Sequence, residues 1–249
     1  MSVVSLVPEY HLWLVFVSFV VASLGAYTAL SVMASQLANG GGRINWISTA
    51  SAGLALGGVG IWSMHFLGML AFDAHVGVGY SVLETVVSLV AAVVVSTVAL
   101  GYLASQPFSI KRLLIAGPLA GLGVAVMHYL GMYGMRFGGF FDWSAPLVIL
   151  SVVIAIVAAT VALWLAFHTP KKSHRVAAAV LMGVAVCTMH YTGMAAASLL
   201  CTTPTPSISM AGLLRSTEML GCVIAVALGV VAIVGVDLQL QRMHRAMAR

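Results

Sequence analysis

A six-residue motif that could bind a metal ion occurs three times in this 249-residue chain. It reads Met-His-Phe-Leu-Gly-Met at residues 64–69, Met-His-Tyr-Leu-Gly-Met at 127–132 and Met-His-Tyr-Thr-Gly-Met at 189–194. Its histidines are 63 and then 62 residues apart, and a fixed period of this size indicates a repeated architecture. Imidazole nitrogen and thioether sulfur are both metal ligands, so the chemistry to consider first is metal binding. The three histidines are His65, His128 and His190.

Each histidine is followed four residues later by a methionine, and on a helix the two side chains leave from the same face. The expected ligands are therefore the histidines with Met69, Met132 and Met194. The methionines directly before the histidines lie about 100° away, where they could hold a second ion or pack against a neighbouring helix. They are Met64, Met127 and Met189. Uncharged imidazole and soft sulfur favour copper, above all Cu(I), over magnesium, calcium or manganese; zinc, or haem held by two histidines, is the alternative.

The composition identifies the solvent around the motif. Apolar residues make up 61% of the chain, charged residues only 7%, and the mean hydropathy is +1.09. Because a soluble domain carries about 25% charged residues, this chain must lie in a lipid bilayer. The net charge of +5 then reflects topology and anionic lipid rather than nucleic-acid binding. Ionisable residues inside a membrane are usually functional; the competing interpretation is that the three histidines are remnants of a structural repeat.

Seven apolar segments are long enough to cross a bilayer, which takes about 20 residues per helix. They cover residues 11–36, 46–71, 82–104, 113–136, 146–167, 176–200 and 212–236. The first, third and fifth segments share a pattern that begins at Ser18, Ser88 and Ser151. The predicted fold is an all-α membrane domain of residues 1–240, with three parallel helical hairpins (about 11–71, 82–136 and 146–200), a seventh helix and a short basic tail at 241–249. Parallel hairpins around one axis would bring the histidines to one depth, and glycines near each histidine allow close helix approach.

The basic residues predict the orientation of the chain. Nine of the eleven lysines and arginines fall in the first, third and fifth loops and in the tail. The positive-inside rule then places the N-terminus outside and the C-terminus in the cytoplasm. The second, fourth and sixth helices run outward, so their histidines lie roughly 21 to 28 Å across a hydrocarbon core of about 30 Å, near its outer face.

Three copies of Met-His-Phe/Tyr-x-Gly-Met on alternate membrane helices resemble the MHYT domain family, and the resemblance covers nearly the whole chain. It implies a sensory domain of the bacterial cytoplasmic membrane that binds copper near the outer face and senses oxygen, carbon monoxide or nitric oxide. By position it implies Met64, Met127 and Met189 as ligands beside the histidines and adds Tyr129 and Tyr191. The residues alone favour packing or hydrogen bonding for these tyrosines. Phe66 departs from the family pattern. Members are often fused to cyclic di-GMP-turnover or histidine-kinase domains, so the output partner here would be a removed domain or another protein chain.

The sequence-based hypothesis is a copper-binding sensor in which a gas or the redox state changes helix packing and the seventh helix carries the change to the cytoplasm. Copper transport or delivery is the alternative, although the inner halves of the motif helices offer mostly Ser, Thr and Gly for a metal path. A bis-histidine haem protein is a second alternative. An enzyme is not expected, because no buried carboxylate pair or Ser-His-acid set is visible.

Overall fold

Seven long helices form the body of the protein in a computed structural model that describes residues 2–6, 9–39, 44–73, 75–169, 171–203 and 211–247. All seven are long and apolar enough to cross a membrane, which confirms the predicted fold class. The helices are α1 (Leu12–Asn39), α2 (Trp46–Ala71), α3 (Val82–Ala104), α4 (Ile110–Tyr133), α5 (Ala145–His168), α6 (Lys172–Ala195) and α7 (Ser216–Met247).

The first six helices close into a ring in chain order. Each helix packs against the next, and α6 packs against α1 to complete the ring. Helix α7 lies outside the ring against α2. As a result, 83% of the central part of α2 is buried, against 50% or less in every other span. Helix α2 is therefore the most enclosed element of the bundle, and α2, α4 and α6 also contact one another around the repeated motif.

Helix α2 changes its winding just before its copy of the motif. It is α-helical over Trp46–Gly53, π-helical over Leu54–Ser63 and α-helical again over Met64–Ala71. Ser63 donates its hydroxyl proton to the carbonyl oxygen of Gly58 at 2.8 Å. Neither α4 nor α6 contains such a segment. Since π-helical turns often mark functional sites, this one distinguishes the first motif copy from the other two.

Short antiparallel strands cover the end of the bundle where the motif lies. They form the sheets β1–β7–β6, β2–β3 and β5–β4–β8. The strands are β1 (Ser2–Leu6), β2 (Glu9–Tyr10), β3 (Phe72–Asp73), β4 (Gly79–Ser81), β5 (Met135–Arg136), β6 (Gly139–Trp143), β7 (Ala197–Thr203) and β8 (Leu213–Leu214). We call this the sheet end; the positive-inside rule predicts that it faces outward.

Several helix boundaries differ from those predicted. Helices α4 and α6 end at Tyr133 and Ala195, before the predicted residues 136 and 200, because the chain there pairs as strands β5 and β7. Hydropathy cannot separate a buried strand from the last turn of a helix. Helix α7 continues to Met247, well beyond the predicted residue 236, because a buried polar network extends its contacts with the bundle.

This network joins α7 to α1 and α2 at the end opposite the sheets. The hydroxyl of Ser48 donates to Asp237 Oδ1 at 3.1 Å, and Gln241 Nε2 donates to Asp237 Oδ2 at 2.9 Å. Gln241 Nε2 also contacts Ser48 Oγ at 2.9 Å, and Ser35 donates to Gln241 Oε1 at 2.5 Å. Asp237 is only 5% exposed. Because a buried carboxylate is costly without hydrogen bonds, these contacts fix α7 in register with α2.

Removing the Ser48 hydroxyl should therefore loosen α7. Ser48→Ala takes one hydrogen bond from the buried carboxylate of Asp237, and we expect it to lower the free energy of unfolding by about 1–3 kcal/mol. Unfolding of the purified protein in mild detergent measures this. The control is Ser173→Ala, since Ser173 is exposed on α6. Equal stability of the two variants would contradict the role assigned to the network.

Candidate metal centre

The three repeated histidines meet on the axis of the bundle near the sheet end. Their Nδ1 atoms are 3.1 Å apart for His65 and His190, 3.1 Å for His65 and His128, and 3.3 Å for His128 and His190. Ring centroids are 5.0–5.1 Å apart, and the ring planes are inclined by 78–90° to one another. Each side chain is at most 1% exposed. We call these three residues the histidine triad.

The glycine three residues after each histidine makes room for the triad. The outward-facing Nε2 of each ring lies against such a glycine on the next motif helix, and a methyl group at any of these glycines would overlap the ring. The three pairs are His65 with Gly131, His128 with Gly193, and His190 with Gly68. Each motif helix therefore supplies one ring and receives another, which closes a cycle around the axis.

Hydrogen bonding among the histidines themselves cannot satisfy the triad. An Nδ1 atom carries either one proton or one lone pair in the ring plane, so three converging Nδ1 atoms always leave at least one pair of like groups in contact. The Nε2 atoms of the triad have no hydrogen-bond partner in the described part of the chain. A buried polar group left unpaired costs about 1–3 kcal/mol. The unavoidable contact between like Nδ1 groups argues against simple packing and favours a cation among the Nδ1 atoms.

The spacing of the Nδ1 atoms fits a metal ion. The centre of a triangle with sides of 3.1–3.3 Å lies about 1.8–1.9 Å from each corner. Bonds from imidazole nitrogen to a metal such as zinc are about 2.0–2.1 Å long, so a small outward shift of each ring gives three bonds. Among the histidines, cysteines and acidic residues that the structure describes, this triad is the group of three close enough to share one ion. The residues present thus fit a bound metal.

The six motif methionines all lie in the interior. Each is only 1–2% exposed. Met69, Met132 and Met194 belong to one buried apolar cluster at the sheet end, together with Phe66 and Met219. Met127 belongs to the same cluster, and Met189 packs with Ala125 and Ala155. Their part in metal binding stays a prediction.

The residue after each histidine forms an aromatic collar around the triad. Its ring meets that histidine's ring edge to face, with centroids 4.8–4.9 Å apart. The collar consists of Phe66, Tyr129 and Tyr191. The hydroxyl of Tyr191 lies 3.0 Å from Ser18 Oγ, and that of Tyr129 lies 2.5 Å from Ser151 Oγ. Each tyrosine therefore connects the triad to an outer helix of the ring.

The two serines fix which partner donates in these hydrogen bonds. Ser18 and Ser151 each donate their own proton to the carbonyl oxygen three residues earlier, at 2.7 and 2.8 Å. The tyrosine hydroxyl must then donate to the serine oxygen. In the first copy, where Phe66 has no hydroxyl, Trp62 Nε1 shares its proton between Ser88 Oγ at 3.1 Å and the carbonyl oxygen of Thr85 at 3.2 Å. A donor thus reaches the equivalent serine in all three repeats.

Sequence reasoning missed three of these features. Trp62 takes the tyrosine's place from a position one helical turn before His65, which no pattern at the aromatic position reveals. The serines of α1, α3 and α5 are visible as a repeat, and asking which donors each copy offers them could have identified the collar. The pairing of each ring with a glycine was also missed, although the His-x-x-Gly spacing in every copy carried the signal.

The fold and the site together define an integral membrane protein built from a threefold repeat around buried histidines. A family model described as "Bacterial signalling protein N terminal repeat", MHYT, matches residues 58–116, 121–179 and 183–248. The chain therefore belongs to the MHYT family, as its motif predicted, and is a sensory membrane domain of the kind found in bacterial signalling proteins. The repeats of the family model begin within the motif helices, half a hairpin later than the predicted units.

Curated relatives are considerably longer than this chain. It is 38% identical over 198 residues to "Bifunctional diguanylate cyclase/cyclic di-GMP phosphodiesterase MucR" of Pseudomonas aeruginosa, covering 77% of this chain and 28% of that protein. It is 36% identical over 192 residues to "Cyclic di-GMP phosphodiesterase NbdA" of the same organism, covering 74% and 24%. It is 29% identical over 197 residues to "Signaling protein YkoW" of Bacillus subtilis, covering 76% and 24%. The chain thus spans about a quarter of each relative. No solved structure matches it.

Replacing one of the glycines that lie against the histidine rings should disturb the triad. In Gly131→Ala the new methyl group overlaps His65, and the overpacking should cost about 1–3 kcal/mol of unfolding free energy. Thermal unfolding in detergent measures the loss. The matched control is Gly229→Ala on α7, where the methyl group meets open space and the helix gains up to about 1 kcal/mol. If the Gly131→Ala protein is as stable as the control, the position of the His65 ring does not depend on the missing side chain at Gly131.

Proposed function

We propose that this domain is a copper-binding sensor whose histidine triad responds to a diatomic gas or to redox state near the outer face of the bacterial cytoplasmic membrane. The observation that carries the proposal is the convergence of three buried Nδ1 atoms at 3.1–3.3 Å. The copper would be held by His65, His128 and His190. Bound copper would supply a site that changes oxidation state or takes up a diatomic ligand.

The nature of the donors supports copper over the other candidate cofactors. Three uncharged imidazoles, with six methionines within one residue or one turn of them, suit a soft, low-charge ion. Thioether sulfur and the absence of a carboxylate beside the triad in the described residues make zinc a poorer fit. Haem fits poorly as well, since three rings in mutual contact, each against a glycine, leave no slot for a porphyrin.

The packing of the triad supports a way to couple the site to the rest of the protein. Because each ring touches the backbone of the next motif helix, an outward shift of the rings on ligand or redox change presses α2, α4 and α6 apart. Helix α2 also packs against α7, and Ser48 ties it to Asp237 on that helix. The seventh helix would carry the shift to a cytoplasmic signalling partner. The relatives named for cyclic di-GMP turnover make such an output the leading candidate.

The transport alternative receives little support from the residues below the triad. A metal path would need a series of ligands deeper in the bundle, whereas the space one turn below the rings is lined mainly by apolar side chains such as Ile61, Val124 and Val186. In the described chain Met182 and Met189 are its soft donors. Copper flux into proteoliposomes would restore this alternative.

Copper content tests the proposal directly. Protein loaded with Cu(I) under anaerobic conditions and then desalted should retain one copper per chain, by elemental analysis. His128→Ala combined with His190→Ala should lose it, because a single remaining imidazole cannot hold the ion. The control is His174→Ala, an exposed histidine near the start of α6. Wild-type protein without copper, or a double variant that retains it, would overturn the proposal.

The tyrosines allow a second test of the ligand set. Both tyrosine hydroxyls form hydrogen bonds with serines, and the first motif copy has no hydroxyl at this position because it has Phe66. We therefore expect the protein with Tyr129→Phe and Tyr191→Phe combined to keep its copper. Its free energy of unfolding should fall by about 0.5–1.5 kcal/mol for each lost hydrogen bond. Loss of copper from a folded double variant would instead make the phenol oxygens ligands, as the family resemblance implies. Copper analysis and thermal unfolding of the same samples separate the two results.

A further inference from the structure

A cavity lies inside the bundle about one helical turn from the histidine triad, between helices α2 to α6. Its volume is about 50 Å³. Three of its lining residues, Ile61, Val124 and Val186, each precede a triad histidine by four residues. A residue four positions earlier on a helix lies on the same face about 6 Å along the axis. These three side chains therefore lie between the histidine rings and the cavity. Met189, the residue before His190, also lines it.

The walls of this cavity are almost entirely apolar. Alanines of α5 form one side and Val95 and Ala99 of α3 form another, while Ser96 is its one polar lining residue in the described chain. A water molecule needs about 10–15 Å³ and two to four polar partners, so the space is large enough for water but offers too few hydrogen bonds. Apolar cavities of this kind stay dry and take up apolar ligands.

The cavity adjoins two clefts on the lipid-facing surface of the bundle. A surface cleft between α3 and α4 shares Val95, Ala99 and Ala120 with the cavity wall. A second cleft, between α5 and α6, shares Ala158 and Met182. Both clefts open on side chains that face the membrane, such as Val98 and Val157. By contrast, the sheets and the buried methionine cluster cover the triad at the sheet end.

We propose that this cavity is a binding site for a small apolar diatomic gas, which enters laterally from the bilayer and is held one helical turn below the triad. The size of the cavity favours this occupant, since a cavity that binds benzene measures about 150 Å³ and an acyl chain needs still more room. The site itself requires no metal. That the gas passes from this cavity to the triad rests on the proposed function.

Dioxygen under pressure is the probe, because it is itself a paramagnetic diatomic gas. The full chain is prepared metal-free in lipid nanodiscs with 13C-labelled methionine methyl groups. We expect dioxygen to enhance the relaxation of the Met182 and Met189 methyl groups several-fold more than that of Met33, which is buried away from the cavity. Equal enhancement at all three methyl groups would overturn the proposal. So would magnetisation transfer from lipid methylene protons to Met189, which would place an acyl chain there.

Filling the cavity supplies the matched comparison. Ala159→Leu should reduce the enhancement at Met182 and Met189 to the level of Met33, whereas Ala225→Leu on the lipid-facing side of α7 should leave it unchanged. Ala99→Leu on the opposite wall serves where Ala159→Leu does not fold. An undiminished enhancement in a folded cavity variant would overturn the proposal.

A second measurement separates this proposal from the copper site. In copper-loaded protein, carbon monoxide should rebind after photolysis at least ten-fold more slowly in Ala159→Leu than in Ala225→Leu, at equal copper content. Equal rebinding rates in the two variants would show that carbon monoxide does not reach the copper through the cavity. Dioxygen in the cavity of a protein that binds no copper would keep the gas site and remove the proposed function. If carbon monoxide binds to the copper but dioxygen does not enhance the relaxation of the Met182 and Met189 methyl groups, the proposed function stands and the gas site in the cavity is overturned.

Discussion

Three imidazole rings share one axis because three helices lack a side chain where the rings need space. The triad and its glycines cannot be separated, since each ring lies against the backbone of the neighbouring motif helix. His65 depends on α4, His128 on α6 and His190 on α2. A change that displaces one ring therefore acts on all three helices. This cyclic dependence explains why the motif keeps its His-x-x-Gly spacing in every copy, whatever ion the site holds.

The aromatic collar transfers the same threefold order to the outer helices. Ser18, Ser88 and Ser151 each donate their hydroxyl proton within their own helix, so each accepts a hydrogen bond from a neighbouring motif helix. Two copies meet this demand with tyrosine, and the first meets it with Trp62 from one turn earlier. What the repeat preserves is a donor at a fixed place in space rather than a residue at a fixed place in the sequence. The histidine triad is thus held by glycine contacts among the motif helices and by hydrogen bonds from neighbouring aromatic side chains to the outer helices.

The sequence predicted the seven helices, the repeat and the meeting of the histidines because each depends on periodic residue types. Composition and motif spacing report such features directly. The strands at the sheet end escaped prediction because residues such as Met135 and Leu199 are as apolar in a strand as in a helix. The π-helical turns of α2 contain Gly57 and Gly60, which pack closely against α3 and α1, and nothing in their sequence distinguishes these turns from an α-helix. Asp237 was overlooked because the predicted seventh helix stopped one residue before it, and only the folded chain brings Ser48 and Gln241 to its carboxylate.

A symmetric site surrounded by unequal helices has a definite direction in which to transmit a change. Helices α4 and α6 are regular and face lipid on one side, so a shift of either is absorbed at the membrane surface. Helix α2 differs, because it is enclosed on all sides, contains the π-helical turns next to the motif and has α7 packed against it. An expansion around the triad that reaches α2 cannot dissipate into lipid and must move α7, to which α2 is joined at the far end by Ser48 and Asp237. The asymmetry of the bundle, more than the site itself, therefore determines where a signal could leave the membrane.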